Sequence, residues 1–196
     1  MTISEDLFEH FCAFHGLVCS RIEEGTSPTP DYLVGLGGVD AIVEVKQIDE
    51  DDNFSSVRGS RTIGDHVRAK INQARDQVRM AGARGTPAIL LIYNNLDPLQ
   101  EFGTGLQDFR AAMYGEPTVV LSVETGAIVN SFDGRNQSFR PGKNEAFSAI
   151  GHLKRTNGAP LVHLYENLFA KVPLSYQCLP PCITYTRIEV AGNGDA

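Results

Sequence analysis

Apolar side chains recur every three or four residues at the start of the chain and every second residue soon afterwards. Ile3, Leu7, Phe8, Phe11 and Phe14 line one side of a predicted helix over residues 3–15, with Ser4 as its cap ahead of Glu5 and Asp6. LVCSRI then reads as a short strand, and the two prolines of EEGTSPTP keep the next stretch a loop. DYLVGL and DAIVEVKQI alternate as strands around Gly37-Gly38, which predicts a hairpin with a tight turn. The run IDEDDNFSSVRGSR is polar and reads as a mobile loop. Beyond it, Ile63, Val67, Ile71, Ala74, Val78 and Ala81 give a helix over 63–82. PAILLIYNN is apolar throughout, as in a strand covered on both faces. A shorter helix near 104–114 follows, with strand-like segments TVVLSV, GAIVNSF, PLVHLYEN and CITYTRIEV.

These elements predict an α/β protein: a mixed β-sheet flanked by helices, in the order α-β-β-β-α-β, with additional C-terminal strands. No repeat or linker divides the 196 residues, so a single domain over 1–196 is expected. Its core occupies about 3–95 and a C-terminal extension about 96–196.

Three charged residues break the pattern. On IVEVKQ, alternation puts Glu44 and Lys46 on one face and Val43, Val45 and Gln47 on the other. Pairing around the glycine turn brings Asp31 beside Glu44. Two carboxylates held close and partly buried repel and resist ionising. A hard divalent cation between them reverses that, since Mg²⁺ takes a few carboxylate oxygens together with water and phosphate oxygens. Such an ion polarises a phosphodiester and acidifies a bound water. Lys46, projecting alongside, would orient that water or stabilise charge developing on the phosphate.

Charge distribution changes the picture further. The chain carries a net charge of −7, which argues against a surface coated in basic residues for nucleic acid. Yet Arg58, Arg61, Arg68, Lys70, Arg75, Arg79 and Arg84 face only Asp65 and Asp76, so residues 58–84 carry +5 and the remainder −12. Within the second long helix, His66, Lys70, Gln73 and Gln77 border one side of the apolar face, and Arg68, Arg75 and Arg79 the other.

Pro30-Asp31 followed by Glu44-Val45-Lys46 resembles the PD-(D/E)XK nuclease superfamily, which includes restriction endonucleases and archaeal Holliday-junction resolvases. The resemblance covers roughly residues 3–95 and implies a restriction endonuclease-like core. It implies a divalent-metal-dependent nuclease that hydrolyses phosphodiester bonds as an endonuclease, with DNA favoured over RNA as substrate. Asp31 and Glu44 would bind Mg²⁺ or Mn²⁺, with the Val45 backbone carbonyl as a further ligand and Lys46 as the catalytic lysine. Some members add a carboxylate from the first helix. Glu9 or Glu5 would serve here, with Glu9 preferred as nearer the helix end that approaches the strands. By the same resemblance Lys70, Gln73 and Gln77 would face the scissile phosphate, and Arg68 and Arg75 would follow the nucleic-acid backbone. Double-strand cutters of this class commonly pair two sites, so a homodimer is compatible. The competing expectation is a catalytically inactive protein of the same fold that binds nucleic acid or another protein.

Other chemistries find less support. GLGG at 35–38 precedes no helix, so it is not a phosphate loop. The acidic run Asp49 to Asp52 reads as a solvated loop. Cys12 and Cys19 read as free apolar cysteines, and Cys178 and Cys182 have no second pair at zinc-ligand spacing. His10, His15, His152 and His163 are scattered. No apolar run approaches the roughly 20 residues of a membrane span. The acidic start MTISEDLFEHF is unlike a signal peptide, so a cytoplasmic protein is expected, without membrane partners.

Overall fold

The computed structural model describes residues 1–23, 25–26, 28–50, 62–82 and 85–190. The chain begins with helix α1 (Ile3–His15). Its cap is Thr2, not Ser4: the Thr2 hydroxyl accepts from Glu5 N while the Glu5 carboxylate accepts from Thr2 N. This reciprocal pairing satisfies two otherwise orphaned donors of the first turn. Gly16 closes the helix at φ 65°.

Strands β1 (Cys19–Arg21), β2 (Tyr32–Leu36) and β3 (Val39–Ile48) form an antiparallel meander. Gly37 and Gly38 join the last two, both at positive φ, as a two-residue hairpin turn requires. Gly37 has a second reason to be glycine, because a Cβ there would lie 1.7 Å from the Cys178 carbonyl oxygen. Helix α2 (Asp65–Gly82) crosses to β4 (Ala88–Asn94), which pairs parallel to β3. After α3 (Leu106–Tyr114) and a separate hairpin, β5 (Pro117–Leu121) with β6 (Ile128–Asp133), the chain returns to the main sheet. It adds β7 (Ala149–Lys154), β8 (Leu161–Glu166) and β9 (Ile183–Thr186).

The result is a mixed sheet of seven strands in the order β1-β2-β3-β4-β7-β8-β9. The predicted order α-β-β-β-α-β with further C-terminal strands is what the chain adopts. Strand β7 was not foreseen, although it sits between β4 and β8 and is almost wholly buried. Of the polar run 48–61 predicted as a mobile loop, Ile48 ends strand β3, and residues 51–61, with Asp51, Asp52, Arg58 and Arg61, lie outside the described residues, as does Arg84.

Two cores sandwich the sheet. Leu7, Phe8 and Phe11 of α1 pack on Tyr32, Val34, Val43, Val45 and Leu91 on one face. Val67, Ile71, Ala74 and Val78 of α2, with Phe109 and Met113 of α3, pack on Ile42, Ile48, Leu90, Ile92 and Ile150 on the other. Strand β4 touches both and is buried at every position, which explains its uninterrupted apolar run. Among the described residues, no helix is long and apolar enough to cross a membrane.

Candidate active site

Strand β3 sends Ile42, Glu44, Lys46 and Ile48 toward α2, and Val43 and Val45 toward α1. Pairing of Tyr32 with Val43 sets the register of the hairpin. Asp31, immediately before β2, is thereby carried to the middle of β3, where its Oδ2 accepts from Val45 N at 2.8 Å. The Asp31 carbonyl accepts from Ile22 N, so its backbone is held from the other side as well.

Glu44 lies among core residues and is only 1% exposed. Its Oε1 accepts from Lys46 Nζ at 2.5 Å. Its Oε2 is sealed from solvent and, among the described residues, accepts no hydrogen bond. An unsatisfied buried acceptor costs about 1–3 kcal/mol, more when charged. Burial, and next the neighbouring Asp31 carboxylate, push the Glu44 pKa up to about 7 against the counter-pull of Lys46. Burial also raises Asp31, opposed by the Val45 N–H and by Lys46. At neutral pH the pair is therefore an electrostatically stressed site, and added positive charge would relieve it.

These side chains border one cavity of about 310 Å³, together with Arg21, Thr29 and Gln77. Of the residues singled out on α2, Gln77 alone lines it. Lys70 and Gln73 occupy the same stripe, Lys70 half-buried and Gln73 exposed, nearer the start of the helix. The arginines of the other border turn away. Arg68 donates to the Ile63 carbonyl at 2.7 Å and to Asp65 at 3.1 Å, and comes within 3.8 Å of Glu116. Arg75 donates to Asn144 and Asn72.

Neither candidate carboxylate of α1, Glu5 or Glu9, lines the cavity. Glu9, the preferred one, accepts from the Tyr32 hydroxyl at 2.8 Å on the α1 face of the sheet. Glu5 accepts from Thr2 N and from Arg21 Nη2 at 2.6 Å. Burial opposes its charge, but those Thr2 and Arg21 contacts hold its carboxyl below the ordinary value. Glu5 is therefore occupied as a helix cap and a partner for Arg21, and reaches the cavity only through that arginine.

Arg21 is the residue the sequence pattern did not single out. It stands in the last position of a three-residue strand, and only the pairing of Arg21 with Tyr32 brings it near Asp31. Two of the four histidines that read as scattered are cross-strand partners, His152 on β7 and His163 on β8. Strand β4 stands between them and β3, with Ile92 between Lys46 and His152 in register, so they lie off the cavity.

Do the residues fit a divalent cation? Glu44 Oε2 is an unpartnered buried acceptor, and Asp31 spends one oxygen on Val45 N. Among the described residues, no three His, Cys, Asp or Glu side chains converge. Two hard oxygen donors without a third suit Mg²⁺, which retains several waters, better than a cation that demands a full protein cage. Comparison with known families, curated proteins and solved structures finds no match to this chain.

Proposed function

We propose that the chain is a metal-dependent nuclease, hydrolysing phosphodiester bonds of nucleic acid, with DNA as the favoured substrate. The observation that carries this reading is Glu44, a carboxylate buried in an apolar face beside Asp31, with one oxygen unpartnered and a lysine on the same wall. Asp31 and Glu44 would hold Mg²⁺ or Mn²⁺, the Val45 carbonyl completing the set by resemblance to PD-(D/E)XK nucleases. When bound, the cation supplies Lewis acidity toward the phosphate and lowers the pKa of a coordinated water.

The chain's own residues do the rest. The Val45 N–H fixes Asp31 by one oxygen at the wall of the cavity, which would orient it as a ligand. Lys46 opposes, without cancelling, the burial that raises the Glu44 pKa. Were a cation to take over the neutralisation of Glu44, the Lys46 ammonium on the same wall would be available to stabilise charge growing on the phosphate. Arg21 and Gln77 are the donors placed to orient a phosphate in the cavity.

A second reading draws support from the same ion pair. Glu44 and Lys46 already neutralise each other, as a purely structural pair does in a non-catalytic binding protein. Incubation with single-stranded, duplex and branched DNA and with RNA, in Mg²⁺, Mn²⁺ or EDTA, separates the two. Metal-dependent products that vanish in Glu44→Gln support the nuclease. Binding without cleavage under every condition supports the alternative.

A further inference from the structure

Gln77 and Arg75 are two residues apart on α2, so at 100° per residue they point to nearly opposite flanks. The flank opposite the candidate active site carries a second cleft, of about 370 Å³, between α2 and the segments around residues 142–147 and 171. We propose that this cleft binds phosphate groups of a nucleic-acid strand. The proposal rests on the nuclease reading only in naming nucleic acid as the source of the phosphate.

Arg75, Arg79 and Lys171 line the cleft, and Glu145 is the sole carboxylate among its described lining residues. Glu145 is already engaged, accepting from Gly142 N at 2.7 Å and pairing with Lys171 at 3.1 Å. Arg79 lies 3.3 Å from Asp76 along the helix. Arg75 is different. Its Nε donates to Asn144 Oδ1 at 3.1 Å and one terminal nitrogen to Asn72 Oδ1 at 2.7 Å, and among the described residues it meets no carboxylate.

Asn144 is built for that contact. It adopts φ 55°, in the left-handed region that non-glycine residues seldom enter. Its amide nitrogen donates to the Ser138 carbonyl, which fixes its oxygen toward Arg75. The guanidinium is thus oriented by neutral oxygens, with its charge uncompensated.

More positive charge stands close by. Lys143 donates to the Gln137 carbonyl at 2.9 Å. Burial, and then Arg140 and Arg75, lower its pKa. Cations from three separate segments therefore gather against two carboxylates, Glu145 and Asp76, each already engaged by one of them. Mutual repulsion of this kind is relieved by an anion. A guanidinium fork flanked by ammonium groups matches the tetrahedral oxygens of phosphate in geometry and charge.

The test measures binding of fluorescein-labelled duplex DNA by anisotropy across a salt series, in EDTA so that nothing is cleaved. Arg75→Gln/Lys171→Gln should flatten the slope of log affinity against log salt by about two units, one per cation removed. Arg75→Lys should keep the slope and weaken binding, because charge is retained and the fork is lost. Duplexes with 5′-phosphate and 5′-hydroxyl ends separate the two phosphate sources. Equal losses on both assign the cleft to internal diesters, and a loss confined to the phosphorylated duplex assigns it to a terminal phosphate. Both variants should melt with wild type, since these side chains are exposed or partly so. Arg79→Gln/Lys143→Gln repeats the measurement with a second pair of cations, one a helical turn beyond Arg75 and one next to Asn144. Wild-type slopes and affinities in both double variants overturn the proposal, whatever the cleavage result. Failure of metal-dependent cleavage overturns the nuclease reading and leaves the salt slopes to stand alone.

Discussion

On one flank of α2, Gln77 reaches a cavity of about 310 Å³ walled by Asp31, Glu44 and Lys46. On the other, Arg75 and Arg79 border a cleft of about 370 Å³ that gathers Lys171. The two are alike in size and opposed in electrostatic stress. In the first, burial and a neighbouring carboxylate drive an acid toward its neutral form. Beside the second, burial and the guanidinium groups of Arg140 and Arg75 drive the ammonium of Lys143, the neighbour of the lining residues Gly142 and Asn144, toward its neutral form. Stress of the first sign calls for a cation, and stress of the second for an anion. A helix that separates a cation-seeking site from an anion-seeking one suits a substrate that is a polyanion cut with the help of a metal.

The largest effect that can break this contrast is on cleavage. Glu44→Gln keeps the shape of the side chain and removes its charge, so metal-dependent cleavage should fall by several orders of magnitude. Lys46→Met should lower the rate at saturating metal by about 10²–10³-fold, roughly 3–4 kcal/mol, as expected for losing one group that serves the transition state. Arg75→Gln/Lys171→Gln should leave the rate at saturating substrate at its wild-type value. Single-turnover assays compare all three. Undiminished cleavage in Glu44→Gln would mean that the chemistry lies elsewhere.

Stability against pH gives the next largest effect. Glu44 holds its proton more tightly in the folded chain than in the unfolded one. Its contribution is therefore fully present below the unfolded pKa near 4.5 and is lost as pH rises through about 7. The loss is on the order of 3 kcal/mol, and the raised Asp31 adds to it in the same sense. Urea denaturation of the metal-free protein should show stability falling between pH 4.5 and 7.5, with most of that fall absent in Glu44→Gln. Mn²⁺ should raise the Tm more at pH 8 than at pH 5.5, because protons compete for the same oxygens. A flat profile in wild type would mean that Glu44 is ionised without strain, and the case for a cation would weaken.

The halves of the chain differ in how far their patterns could be read. Helix α2 was legible because it keeps one period against one core, and β3 because two charges, which marked the site, interrupt an apolar run that meets both cores. The cap was misassigned: Ser4 is the more conspicuous residue beside the acidic pair, although Thr2 and Glu5 stand at capping-box spacing. Which carboxylate of α1 approaches the site was not readable, because Glu5 and Glu9 are one helical turn apart and the deciding contact, Arg21, comes from another strand. Arg75 was expected beside the nucleic-acid backbone, but helical period could not reveal that segment 142–147 would fold against it. Strand β7 was hidden by Gly151 and His152, which break its apolar run. That glycine is required by packing, since a Cβ there would lie 2.6 Å from the His163 carbonyl oxygen and 2.7 Å from Leu164 Cδ2. Gly151→Ala should destabilise the protein by about 1–3 kcal/mol, the usual effect of overpacking a core. Thermal unfolding measures it, and a wild-type Tm would show that β7 and β8 separate at little cost.

The smallest effect is the most direct probe of the division between the flanks. Gln77 lines the carboxylate cavity with a neutral amide side chain. As a neutral donor to a bound phosphate it would contribute about 0.5–1.5 kcal/mol. Gln77→Ala should therefore lower kcat/KM by roughly three- to tenfold, with stability unchanged within about 0.5 kcal/mol. It removes no charge, so the salt slope of duplex binding should stay at its wild-type value. Arg75→Gln should do the reverse, flattening the slope and sparing the rate at saturating substrate. A double-mutant cycle between the two positions should be additive within about 0.5 kcal/mol, because the side chains project to opposite sides of the helix and share no partner. If Gln77→Ala instead flattens the slope, or Arg75→Gln slows the chemical step, substrate contacts cross the helix and the two clefts form one continuous surface. If neither change moves either quantity, α2 is a solvated helix and nucleic acid enters from another side.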